Sequence, residues 1–149
     1  MRKILLGLTL MLQGCVTIPE IPLLISEAGI KQLCRWNSEM EADDPLLPEV
    51  RAQLLTTITE DPVRWDAALD YPAIVAQEFR VGMSISAANC VNLALSEKWR
   101  NQSAGGTLIR YELRLTHNKF MHITSYKGRV TDVSYISVSY THLTLPTTD

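Results

Sequence analysis

The sequence predicts an α+β fold in which short helices precede one further helix and a three-stranded antiparallel β-meander. Between residues 26 and 80, apolar residues recur at helical spacing and prolines separate the repeats. Between residues 107 and 136, three segments alternate apolar and polar side chains with a period of two. The chain has 149 residues, of which 46% are hydrophobic and 20% are charged, a composition typical of a folded domain.

Four short helices are expected in the first half of the chain. The first begins at Ser26, a capping residue, and ends in the acidic turn 41–45. Pro48 lies in the expected first turn of the second helix. Asp61–Pro62 and Asp70–Pro72 each place a proline after a capping residue and predict two further starts. The stripe of the first helix consists of Ile30, Leu33, Cys34, Asn37 and Met40.

The next expected element is a helix after a glycine turn. Gly82 permits a backbone turn that other residues resist. Either Ser84 or Ser86 then caps a helix that runs to about Leu95. The polar stretch 97–106, which ends in two glycines, is expected to be a loop.

The β-meander follows this loop. Its predicted strands are 107–115, 119–126 and 129–136. One face of the first strand carries Leu108, Arg110, Glu112 and Arg114. Short connections at 116–118 and 127–128 predict hairpins. The sequence thus divides into a helical segment, 26–70, and a small α+β domain, 71–136.

The first fifteen residues have the pattern of a bacterial lipoprotein signal. Arg2 and Lys3 precede an apolar run, 4–12, which is shorter than the roughly 20 residues needed to span a bilayer. The sequence Leu12–Cys15 (LQGC) resembles the lipobox, whose cysteine becomes the lipidated first residue of the mature chain. An ordinary cleaved signal with a coincidental cysteine is the alternative.

Cys15 is therefore the expected lipidation site, with 1–14 as the signal peptide and 15–25 as the lipidated cysteine and tether. Two or more acyl chains anchor a protein stably in a membrane. The resemblance to the lipobox implies the outer membrane of a Gram-negative envelope, because Val16, and not Asp, follows the cysteine. We expect the protein at the periplasmic face of that membrane.

The periplasm is an oxidising compartment, in which disulfides persist. If Cys15 is lipidated, Cys34 and Cys90 remain as one possible pair. A disulfide between them would tie the first helix to the helix of the later domain. Two buried free thiols are the alternative.

Residues 137–149 resemble a translated sequencing adapter. The codons GTC TCT TAT ACA CAT CTG ACG CTG CCG ACG encode the ten residues from Val138 to Thr147, and they spell the transposase end of a common library adapter. Ser137 and Thr148 fit the flanking bases. We expect native sequence to stop near Ile136, and no function is assigned to residues after it.

Residues 72–136 contain two short motifs of a known family. Gly82–Ser84 (GMS) precedes a helix, and Tyr126–Val130 (YKGRV) forms a predicted hairpin. They resemble the SmpA/OmlA-like family, which includes the small lipoprotein of the outer-membrane β-barrel assembly machinery. Leu95–Lys98 stands where that family has a Leu-Gly-x-Pro turn. The resemblance implies two helices packed on a three-stranded sheet, a binding scaffold without catalytic residues.

Several function classes are disfavoured by the sequence. The net charge of −2 and the lack of a basic run after residue 3 argue against nucleic-acid binding. No Walker, Rossmann or Gly-x-Ser-x-Gly pattern is found, so we expect neither an enzyme nor a cofactor. His117, His122 and Cys90 lack the spacing of a metal motif. The acidic residues in 39–44 are expected to be a solvated helix end.

Three tryptophans are candidate partner contacts, because Trp is enriched at binding interfaces; the alternative is that each is a large core residue. Trp36 and Trp65 lie in helical segments, whereas Trp99 lies in a polar stretch beside the sheet and is the best candidate. An edge strand could also accept a partner strand. The expected function is a lipid-anchored envelope protein with a non-catalytic binding or scaffolding role, accessory to an assembly complex. The alternative is a periplasmic inhibitor or ligand-binding lipoprotein.

Overall fold

The computed structural model describes residues 24–138. The predicted signal peptide 1–14, Cys15 and most of the tether 15–25 lie outside the described residues. Of the adapter-like segment 137–149, only the first two residues are described. The fold is α+β, with a helical layer packed on one face of an antiparallel sheet. No helix between residues 24 and 138 is long and apolar enough to cross a membrane.

In the described part of the chain, four helices form the helical layer and four strands form the sheet. The helices are α1 (Ile30–Glu39), α2 (Leu47–Glu60), α3 (Ala67–Ala76) and α4 (Ile85–Val91). The strands are β1 (Ser96–Ser103), β2 (Gly106–Arg114), β3 (Lys119–Tyr126) and β4 (Arg129–Ser137). Each strand pairs antiparallel with the next, so the spatial order is β1-β2-β3-β4.

The predicted start of the first helix at Ser26 is wrong. Ser26 lies in a single 3₁₀ turn, Ile25–Glu27, which closes when the Ala28 N–H donates to the Ile25 carbonyl at 3.2 Å. Ala28 and Gly29 then have extended backbone, which separates this turn from α1. Helix α1 therefore begins at Ile30, without a side-chain cap.

The prediction of two helices that start at Asp61 and Asp70 is wrong. The structure has a turn after Asp61 and one helix, α3, which begins before Asp70. Residues 62–64 form only the turn. The cap is Asp66, which was not predicted: its Oδ1 accepts hydrogen bonds from two backbone N–H groups of the first turn at 3.2 and 3.4 Å. Because the helix begins there, Pro72 lies inside α3 and does not start a helix of its own.

Helix α4 begins where the sequence predicted and ends earlier. Ser84, the first of the two candidate caps, accepts a hydrogen bond from the Ala87 N–H at 3.0 Å. The helix ends at Val91 and not near Leu95, because Asn92 has extended backbone and turns the chain toward β1.

The expectation of three strands is wrong in one respect, because residues 96–103 form a fourth strand, β1, where a loop was predicted. All eight residues of β1 are exposed, so the strand shows no apolar alternation. Its backbone ladder with β2 holds it at the edge of the sheet. The three predicted strands are found as β2, β3 and β4; β3 has the predicted bounds, and the ends of β2 and β4 differ from the prediction by at most one residue.

One apolar core joins the helical layer to one face of the sheet. It includes residues on both sides of position 70, and α3 itself crosses that position. The described chain therefore shares a single core across the predicted boundary between 26–70 and 71–136. Its largest fully buried apolar side chains are Leu33, Val50, Leu54, Ile58, Ile74, Met83, Ile123 and Val130.

The two family-like motifs meet in space. The Gly82 N–H donates to the Val130 carbonyl at 2.8 Å, and the Val130 N–H donates to the Met83 carbonyl at 2.9 Å. The Ile85 N–H donates to the Gly128 carbonyl at 2.9 Å. Gly82 has φ of +94°, a conformation that side-chain-bearing residues rarely adopt. These bonds attach the start of α4 to the β3–β4 hairpin.

Asp70 links α3 to the start of α4 from a fully buried position. Its two carboxylate oxygens accept hydrogen bonds from the backbone N–H groups of Asp66 and Ser84, each at 2.8 Å. Buried carboxylates are tolerated when such donors satisfy them. Asp70 is therefore a structural residue of the helical layer.

Asn37 is the polar residue of the α1 stripe, and it joins three helices. It is buried, and its Nδ2 donates to the Ile74 carbonyl in α3 at 3.0 Å. Its Oδ1 accepts from Arg51 Nε in α2 at 3.0 Å. The buried amide thus links α1 to both α2 and α3 through hydrogen bonds.

Candidate binding face

The sheet has one face covered by helices and one face, called here the open face, directed away from them. Residues paired across neighbouring strands share a face, because side chains alternate along each strand. Tyr111, Leu113 and Ile123 are buried and define the covered face. The register places on the open face Trp99, Asn101, Leu108, Arg110, Glu112, Arg114, Phe120, His122, Thr124, Tyr126, Asp132, Ser134 and Ile136.

A shallow groove of about 340 Å³ lies on the open face across β1, β2 and β3. It is lined by Lys98, Trp99, Arg110, Glu112 and His122. Trp99 forms one side of the groove and is 47% exposed. Because Trp99 pairs directly with Arg110, an apolar ring and a guanidinium group lie side by side at this position.

Glu112 forms the polar centre of the groove. The His122 Nε2 lies 3.2 Å from one carboxylate oxygen, and the Lys98 Nζ lies 3.6 Å from the other. Glu112 and His122 are cross-strand partners in the β2–β3 ladder, so the sheet register fixes this contact. The carboxylate is thus held between two nitrogen-bearing side chains.

Two arginines give the open face positive charge without a carboxylate partner among residues 24–138. Arg110 is exposed and has neither an ion pair nor a side-chain hydrogen bond within that range. Arg114 donates to the backbone carbonyls of Thr116 and His117 and contacts the His117 ring, but no acid. Arg110 and Arg114 therefore provide positive charges on the open face that can meet a carboxylate of a partner, on a chain whose net charge is −2.

The edge strand β1 has features that disfavour addition of another strand. The ladder with β2 is irregular between Glu97 and Trp99, where Lys98 forms a bulge. On the covered side, Arg100 Nη2 lies 2.7 Å from a Glu97 oxygen, and hydrogen bonding to Arg100 lowers the pKa of Glu97. Charges and bulges at sheet edges hinder strand pairing. The open face is consequently a better candidate for partner binding than the β1 edge.

Cys34 and Cys90 form a disulfide between α1 and α4, with their Cα atoms 5.1 Å apart. Both residues are buried. A second cleft beside them is lined in part by Arg64 and Trp65. Trp65 is only 5% exposed, so its ring serves the core, and Arg64 covers it at 5.4 Å from the ring centroid.

The structure places the predicted site residues in different surroundings. Trp99 lies on β1 rather than in a loop, and its role as a partner contact stays a prediction. Cys90 is bonded to Cys34, whereas His117 and His122 contact Arg114 and Glu112. Within residues 24–138, no group of three His, Cys, Asp or Glu side chains could hold a metal ion.

Three groove residues were not proposed from the sequence: Arg110, Glu112 and Lys98. The alternation of β2 already placed Arg110 and Glu112 on one face. The alternation alone does not show which face of β2 the helices cover. It also does not show that β1 lies beside β2, because β1 was predicted as a loop. Once Trp99 is paired with Arg110, the groove follows from the register.

Comparisons of the chain with protein-family models, with curated proteins and with solved structures found no match. The resemblance to the SmpA/OmlA-like family accordingly stays a prediction, supported by the two short motifs.

Proposed function

We propose that this protein is a lipid-anchored cell-envelope protein with a non-catalytic binding or scaffolding role at the periplasmic face of the outer membrane. Attachment through Cys15 holds the domain at the membrane, and the open face of the sheet contacts a partner protein. The observation that carries the binding role is the open face itself, where exposed Trp99 lies beside Arg110, which has no ion pair among the residues that the structure describes. The family resemblance adds that the partner belongs to an assembly complex.

The chemistry of the groove favours binding over catalysis. None of its five lining residues is a serine, threonine or cysteine that could act as a nucleophile. Glu112, the single carboxylate among them, is engaged by His122 and Lys98. An aromatic ring flanked by arginine is the side-chain combination that recurs at protein interaction hot spots.

The anchor is tested by fractionating cells that express wild-type protein or Cys15→Ser. We expect the wild type in the outer-membrane fraction and the variant in the soluble periplasmic fraction. Membrane association of the Cys15→Ser protein that equals the wild type would refute the anchor, whatever the open face binds.

The binding role is tested by photo-crosslinking in living cells. A benzophenone amino acid is placed at position 99, on the open face, and in a control at Arg35, an exposed position on α1. We expect a discrete adduct with an envelope protein from position 99 and none from position 35. Equal adducts from both positions, or none from position 99, would contradict a partner on the open face.

A periplasmic inhibitor or ligand-binding lipoprotein is the second candidate, because about 340 Å³ lies within the range of small-molecule sites. The identity of the crosslinked partner separates the two. A membrane-embedded barrel or its assembly factors supports the scaffolding role, and a soluble periplasmic enzyme supports the inhibitor role.

A further inference from the structure

We propose that the groove at Trp99 binds an extended, acidic segment of the partner, in which a carboxylate side chain neighbours an aromatic or branched apolar side chain. This inference rests on the binding role proposed above and names the chemistry of the partner. It follows from the positions of Arg110, Trp99 and Lys98.

Arg110 provides the site for the carboxylate. Its guanidinium group has no ion pair among residues 24–138, and it is exposed on the open face. A guanidinium fork binds a carboxylate through two parallel hydrogen bonds, which gives both strength and direction. Lys98, also at the groove, adds a second positive charge whose present partner, Glu112, is 3.6 Å away and easily exchanged.

Trp99 provides the adjacent apolar site. Its side chain is about half exposed, and it pairs across the β1–β2 ladder with Arg110. Directly opposed residues of neighbouring strands have Cβ atoms about 5 Å apart. A ligand that satisfies both groups therefore carries its carboxylate and its apolar group on nearby side chains. Residues i and i+2 of an extended peptide lie on the same face and offer such spacing.

A partner protein fits this face better than a membrane surface does. Binding to anionic lipid needs a cluster of roughly four to eight Lys or Arg residues. On the open face, Lys98, Arg110 and Arg114 are interspersed with Glu112 and Asp132, so the excess of positive charge is small. Such a surface selects a few carboxylates at fixed positions.

The test is direct binding of two synthetic peptides to the full chain in mild detergent. The probe is fluorescein-labelled SDSFSDSV, in which each acid and an apolar residue are two positions apart, and the control is SNSFSNSV, in which each acid is replaced by its amide. Fluorescence anisotropy gives the dissociation constants. We expect the acidic peptide to bind at least about tenfold more tightly than the amide peptide, with an affinity that falls as salt is added.

Matched variants locate the binding site. Arg110→Gln is expected to weaken the acidic peptide about tenfold, and Trp99→Ala by a similar factor. Arg35→Gln removes the same charge from the exposed side of α1 and is expected to change nothing. Circular dichroism of all variants checks that the fold is retained.

Equal binding of the two peptides would overturn the proposal, as would equal losses from Arg110→Gln and Arg35→Gln. Binding to vesicles of three parts phosphatidylcholine and one part phosphatidylglycerol, with no binding of either peptide, would also overturn it and assign the face to lipid. A crosslink from position 99 without peptide binding would retain the partner and reject the acidic chemistry. Peptide binding without any crosslinked partner would reject the proposed function and retain the acidic chemistry of the groove.

Discussion

Removing the Cys34–Cys90 disulfide should cost a large part of the stability of this fold. The bond closes a loop with a sequence separation of 56 residues. The loop-entropy relation gives an entropy of about −14 cal/mol/K for a loop of that length, which is about 4 kcal/mol at 25 °C. Domains of this size are stable by only about 5–15 kcal/mol. We therefore expect Cys34→Ala/Cys90→Ala to lose a quarter or more of the unfolding free energy.

Urea unfolding followed by circular dichroism measures this loss. Both proteins carry Cys15→Ser, so that no third thiol interferes. With a slope of about 2 kcal/mol per molar urea, the midpoint should fall by about 2 M in the double variant. Dithiothreitol should lower the midpoint of the disulfide-bonded protein by a similar amount and leave the double variant unchanged.

Two results would refute this reasoning. One is alkylation of both thiols by iodoacetamide in denatured, unreduced protein, which would show that the bond is absent. The other is a difference in unfolding free energy below about 1 kcal/mol, which would show that the unfolded chain is not constrained as the loop relation assumes.

Three further predictions concern buried polar groups. Asp70→Ala should lower the unfolding free energy by about 2–5 kcal/mol, because two backbone N–H groups lose their acceptor; a loss no greater than that of exposed Glu60→Ala would contradict this. Asn37→Ala should cost about 2–3 kcal/mol in urea unfolding, and a neutral effect would show that water replaces both hydrogen bonds. Burial raises the pKa of Tyr111, so stability should fall above pH of about 10 as the unfolded state ionises first. Tyr111→Phe should reduce that slope, and an unchanged slope between pH 9 and 11.5 would refute the assignment.

The sequence predicts most of the helical layer and the meander, because their apolar periodicity matches their burial. The helix starts were less predictable. Asp66 and Asp70 are chemically alike and four residues apart, yet Asp66 caps α3 and Asp70 is buried against α4. Which carboxylate caps a helix depends on the tertiary contact with Ser84, and that contact is invisible in a local pattern.

Strand β1 shows the opposite difficulty. Its residues are polar on both faces, and its stability comes from the backbone ladder with β2 and not from apolar burial. Periodicity detects only strands that bury one face. The groove forms only when β1 pairs with β2. The sequence therefore identifies Trp99 by its residue type, but it does not identify Arg110 and Glu112 as neighbours of Trp99 in a groove.

The irregular, charged edge of β1 also bears on how many copies of this protein can be present together. An edge strand with a regular ladder offers a template on which identical chains add and grow into aggregates. The bulge at Lys98 breaks that template, and the ion pair of Glu97 and Arg100 places charge beside it. These features hinder addition of a second copy at the β1 edge, and we expect a variant that straightened and neutralised β1 to aggregate more readily.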